Sequence, residues 1–111
     1  MSFKIYKYPL RLQNEQTLEL PRGAKMLSLQ PQPQTDGQLH LCLWALVPTE
    51  APMEERTFRV VETGQELSDD LIEKFTHLDT FQMMEPRHTE DGESVLKSIV
   101  HHVFVERAVL N

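Results

Sequence analysis

Apolar and polar residues alternate along this chain in short stretches, the two-residue period of half-buried β-strands. Phe3 and Ile5 alternate with Lys4, Tyr6 and Tyr8 up to Pro9, which suits a first or edge strand. Thr17–Leu20 predicts a second strand closed by Pro21-Arg22-Gly23, and Lys25–Gln30 a third. Gln30–Gly37 has no apolar residue apart from its alternating prolines and predicts an exposed loop ending in an Asp36-Gly37 turn. The strongest strand signals are Leu39–Val47 and Arg56–Glu62, flanking a segment with Pro48 and Pro52 that predicts a loop holding Glu54 and Glu55. Strand, loop and returning strand together predict a hairpin at the centre of a sheet.

After a turn at Thr63-Gly64, Ser68–Phe75 predicts a helix of at most two turns. Ser68 is its N-cap, Asp69 and Asp70 complement its positive end, and Leu71, Ile72 and Phe75 share a face. Thr76–Met83 predicts a strand, Pro86–Glu93 a polar loop, and Ile99–Val105 a strand apolar on both faces. The last strand and Leu39–Val47 read as central, covered on each side. About seven short strands and one short helix predict a mainly β fold, a compact antiparallel sandwich or barrel forming a single domain over 1–111. No segment holds a 3.6-residue period for ten residues, so an all-α fold is not expected.

Composition places the chain without assigning it chemistry. With 111 residues, 40% hydrophobic and 25% charged, it is an ordinary globular domain. Its longest apolar run, Leu41–Val47, has seven residues, against the ~20 a membrane helix needs. The interleaved Lys4 and Lys7 are not a signal peptide, and a single cysteine forms no intrachain disulfide, so a reducing cytoplasm is expected. The net charge of −6 is polarised. Residues 1–49 hold five Lys/Arg against three Asp/Glu (+2), and residues 50–111 six against fourteen (−8). That polarity steers a basic partner to the acidic half or orients head-to-tail self-association. With no Lys/Arg cluster to neutralise phosphates, direct nucleic-acid binding is not expected.

No catalytic constellation emerges. His101 and His102 are neighbours in a strand and point to opposite faces, and His40, His77 and His88 lack chelating spacing. No metal or other cofactor is expected; the histidines read as partly buried, hydrogen-bonded imidazoles, with His40 and the His pair on neighbouring strands. Cys42, between Leu41 and Leu43, reads as a small core residue, not a nucleophile. The serines lack a Gly-x-Ser-x-Gly elbow, and the four glycines are scattered turn markers. Glu54/Glu55 and Asp69/Asp70 have nothing nearby in sequence to desolvate one carboxylate. Trp44 fits either the core face with Cys42 and Leu46 or an exposed anchor. Tyr6 and Tyr8 share a face, for surface recognition or for covering a sheet edge. A non-enzymatic role is expected.

Ile5-Tyr6-Lys7-Tyr8-Pro9-Leu10, then Gln16-Thr17-Leu18-Glu19-Leu20-Pro21 with Gly23-Ala24, resembles a small family of accessory proteins of tailed phages and prophages. The resemblance continues through Leu27–Gln30, Leu41–Val47, Arg56-Thr57-Phe58, Thr63-Gly64, Thr80-Phe81-Gln82 and His102-Val103-Phe104. It departs at the Gln/Pro loop 31–37, the acidic helix at 68–75 and the tail beyond Val105. It carries no catalytic residues and implies a context: a phage accessory protein in the cytoplasm of an infected bacterium.

In that context the expected role is to bind and block a host protein, a nucleic-acid-binding defence complex, as an anti-CRISPR-like inhibitor. An acidic surface competes for the Lys/Arg that otherwise hold phosphates. The contact residues on this reading are Glu54, Glu55, Asp69, Asp70 and Glu73, with Tyr6 and Tyr8. Two alternatives stay open: a minor virion or assembly protein, and a homo-oligomer sequestering a signalling nucleotide through Arg56, Arg59, Tyr6 and Tyr8.

Overall fold

A computed structural model describes residues 2–33, 35, 37 and 39–107, with Leu39 as backbone alone. Its elements in chain order are β1 (Phe3–Leu10), β2 (Glu15–Pro21), β3 (Lys25–Pro33), β4 (Leu39–Pro48), β5 (Met53–Glu62), α1 (Asp69–Lys74), β6 (Phe75–His88) and β7 (Ser94–Glu106). They form two antiparallel sheets, a three-stranded one ordered β1-β4-β3 and a four-stranded one ordered β2-β5-β7-β6. The fold is mainly β, as the alternating pattern predicts, and of the two expected architectures, sandwich or barrel, it is the sandwich.

The central pair is not a hairpin. β4 and β5 lie in different sheets, and residues 49–52 carry the chain across from one to the other. Each has an apolar face to bury, and facing sheets bury both, whereas a hairpin would leave them side by side. β4 and β7 are interior strands, as their two-sided apolar runs predict. The loop around Glu54 and Glu55 is shorter than expected, because β5 begins at Met53 and pairs with β2 through Glu19↔Glu55, Leu20↔Glu54 and Pro21↔Met53. Likewise Pro31 and Pro33 belong to β3, opposite Leu41 and Leu39; Asp36 of the expected turn lies outside the described residues.

Most strand prolines mark edges. Pro9, Pro21, Pro31, Pro33 and Pro86 sit in the four edge strands β1, β2, β3 and β6, while Pro48 is the terminal residue of interior β4. An edge strand leaves alternate N–H groups unpaired, so a residue without an N–H costs the ladder nothing there. The spacing of two between Pro31 and Pro33 turns both toward the same open edge. Polar composition predicts loops over 30–37 and 86–93; the edge position is why parts of both are strand.

The core lies between the sheets. Leu29, Leu41 and Leu43 face Phe58, Val60, Phe81, Met83, Val103 and Val105, and Leu10 and Leu20 belong to the same cluster. A β-bulge between His77 and Asp79 turns Leu78 toward this core, where strict alternation places it on the opposite face. α1 is the short helix expected: the Ser68 side chain accepts from the Leu71 N–H at 3.2 Å, Asp70 and Lys74 pair at 2.9 Å, and Leu71 is buried. Ile72, expected on the apolar face, is 57% exposed. Past Met83, the β6–β7 hairpin has no buried residue on either strand until His101. The molecule is accordingly flat and extended, 57 × 38 × 16 Å, with a radius of gyration of 16.0 Å; a chain of this length in a spherical domain would have ~13 Å.

Candidate functional site

The register gathers the predicted acidic residues at one end of the four-stranded sheet. Phe58 pairs with Val105 and Phe75 with Glu106, so the start of β5, the end of β7 and the junction of α1 with β6 share that end. Arg107 stitches the end of β7 to the helix, its backbone N–H donating to the Lys74 carbonyl and its side chain to the Glu73 carbonyl and the Thr76 hydroxyl. Glu55, Asp69 and Glu73 are exposed, and none of their carboxylates forms a salt bridge among the described residues. Asp70 pairs with Lys74, and Glu54 with Arg22 at 3.5 Å.

One placement there is unfavourable on local grounds. Glu19 and Glu55 are direct cross-strand partners on the outer face of β2 and β5, both exposed. Like charges placed opposite each other destabilise a sheet. Here they keep an edge of the sheet negative.

The tyrosines and arginines do not converge within one chain. Tyr6 and Tyr8 lie on β1 in the other sheet, their rings in edge contact at 6.5 Å. On β5, Arg56 points with Phe58 toward the sandwich interior and donates to the Glu106 carbonyl at 3.1 Å. Arg59 points outward and donates to the Asn14 carbonyl at 3.1 Å. Trp44 shares a face with Cys42 and Leu46, but it is the outer face of the three-stranded sheet, not the core face; Trp44 is half-buried there. Cys42 is buried beneath Gln32 on that same face.

Tyr8 is half-buried against the core, and burial together with neighbouring Tyr6 raises its phenol pKa above the ordinary value. A raised folded-state pKa means the native state holds this proton more tightly than the unfolded chain. The resulting stability is present in full below about pH 10 and is lost as pH rises through the folded value. Melting temperature should therefore fall more steeply above that pH for wild type than for Tyr8→Phe; parallel curves would contradict the assignment.

Side chains that are far apart in sequence build a buried cluster that linear spacing does not reveal. His101 is 4% exposed, stacks on Phe81 at 5.2 Å, and its Nε2 lies 2.9 Å from Glu85 Oε2. Glu62, the cross-strand partner of His101, accepts from Arg87 at 2.8 Å, and Arg87 lies 3.9 Å from Glu85. Beside them is a cavity of about 90 Å³ lined by Leu12, Gln13, Asn14, Val60 and Gln65. One ligand atom from each of Glu62, Glu85 and His101 lies within 4.8 Å of the others. They could ligate a divalent ion only by displacing Arg87, whose guanidinium already supplies the positive charge.

The second polar chain, on the outer face, runs from Thr63 through His102 and Thr80 to His77, with contacts of 2.8–3.0 Å. His101 and His102 thus face opposite ways, as expected for strand neighbours. His40 lies on β4 in the other sheet, not beside them. No helix among the described residues is long and apolar enough to cross a membrane.

Across its length the chain matches a known family model: the Domain of unknown function (DUF7352) model covers residues 1–109. No curated protein and no solved structure matches.

Proposed function

The chain belongs to this family of unknown function, and we propose that it is a non-enzymatic binding protein which blocks a basic surface of a host factor. The supporting observation is the acidic end of the four-stranded sheet, where Glu55, Asp69 and Glu73 stand exposed in a half carrying −8. Carboxylates held on a rigid sheet end compete for Lys/Arg that would otherwise contact phosphates, and their field speeds encounter. Together with the resemblance to phage accessory proteins, this reading makes the factor a nucleic-acid-binding defence complex in the cytoplasm of an infected bacterium.

A tagged protein passed over host lysate should retain one host protein stoichiometrically and release it at moderate salt. Glu55→Lys/Glu73→Lys should retain at least about tenfold less, a loss of ~1.4 kcal/mol. Retention indifferent to salt and to the reversal would sink the acidic-surface mechanism. The nucleotide-sequestering reading has weaker support, because Arg56 and Arg59 diverge and the tyrosines lie on another sheet.

A further inference from the structure

Charge is sorted by sheet. The strands of the three-stranded sheet carry Lys4, Lys7 and Lys25 and no carboxylate, while those of the four-stranded sheet carry eight carboxylates against four cations. The outer face of the three-stranded sheet also divides in two. Toward one end Lys7 donates to Gln32 at 2.9 Å, and Gln32 roofs Cys42. Toward the other end no described residue is recorded across the strands, and Phe3 and Ile5 are 53% and 60% exposed. Ile5 pairs with Leu46, which pairs with Lys25, and Trp44 lies in the next row between Lys7 and Ser28. The result is an open apolar strip with lysines at its borders.

We propose that this strip docks on the Glu19–Glu55 face of a second copy of the chain, so that copies associate head to tail. The same molecule carries both complementary surfaces: apolar groups with lysines on one sheet, and on the other the paired Glu19 and Glu55 with exposed Met53 at the next position. A lysine inserted between Glu19 and Glu55 relieves a repulsion that the isolated chain retains. Two copies meeting through two different patches form a heterologous contact, which leaves one patch of each kind free and continues to longer assemblies. The strip is one end of a three-strand face of about 400 Å², well under the ~800 Å² per partner of a stable interface, so association is weak and salt-sensitive.

The test needs only pure protein, so its outcome is independent of any host factor. Sedimentation velocity at low salt should show mass rising continuously with concentration, without stopping at a dimer. Ile5→Glu, at an exposed position, and Glu19→Lys/Glu55→Lys should each be monomeric, with association weakened about tenfold or more. Circular dichroism of each variant should match wild type. Mixed together, the two variants should form a 1:1 complex, because each retains the patch the other lacks. Wild type that stays monomeric at all concentrations would overturn the proposal. So would a closed dimer, or variants that remain monomeric on mixing.

Discussion

Phe58→Ala should remove about 3–5 kcal/mol of stability, the range found for a fully buried phenylalanine. Phe58 is 0% exposed on β5, with Val105 opposite it on β7, and it belongs to the cluster that includes Leu20, Leu41, Leu43 and Val103. That cluster joins the two sheets, which share no backbone ladder, so side-chain packing is what holds one on the other. Truncation leaves a void bounded by strands of both sheets, and rigid ladders collapse into it poorly. A domain of this size has ~5–15 kcal/mol in total, and each kcal/mol shifts melting by about 4 °C, so a fall of ~12–20 °C is expected. Leu96→Ala, at a residue 68% exposed on the β6–β7 hairpin, should stay within ~0.5 kcal/mol. Urea unfolding of both variants checks the contrast; a Phe58→Ala cost below ~1 kcal/mol would mean the sheets are held by something other than this core.

Strand existence was legible because alternation follows from one face meeting the core and the other meeting water. Strand partnership was not. Leu39–Val47 and Arg56–Glu62 have the pattern of a hairpin, and a pattern records only that each has an apolar face, not which strand supplies the neighbouring ladder. Proline misled in one sense and informed in another: Pro31, Pro33 and Pro86 suggested loops, yet they mark edge strands. Of the candidate site, the charge polarity was readable from composition. The opposition of Glu19 and Glu55 was not, since it depends on β2 pairing with β5 across 36 positions of sequence. The same holds for Glu62, Glu85 and His101. Their only local sign was the placing of His101 and His102 on opposite faces, which separates them without naming either one's partners.

The buried His101–Glu85 pair should behave as a unit. Glu85→Leu leaves the His101 Nε2 without its partner at a position 4% exposed, and His101→Leu leaves a largely buried carboxylate with Arg87 at 3.9 Å. Each single change should cost about 2 kcal/mol or more, the desolvation penalty of an unsatisfied polar or charged group. The double variant Glu85→Leu/His101→Leu removes both polar ends and places apolar side chains against Phe81. It should cost less than the two singles combined, by at least ~1 kcal/mol of coupling. Arg87→Ala is a useful reference, because Arg87 and Glu62 are both more than a third exposed and their ion pair should contribute under ~1 kcal/mol. Denaturant unfolding of the four variants measures all of these terms. If the singles simply add, the two residues are stabilised separately, His101 by its stacking on Phe81 and Glu85 by solvent and Arg87. If they couple, a paired polar group is fixed at the point where three strands meet, and the register that places Glu62 opposite His101 is held by that pair as well as by the ladder.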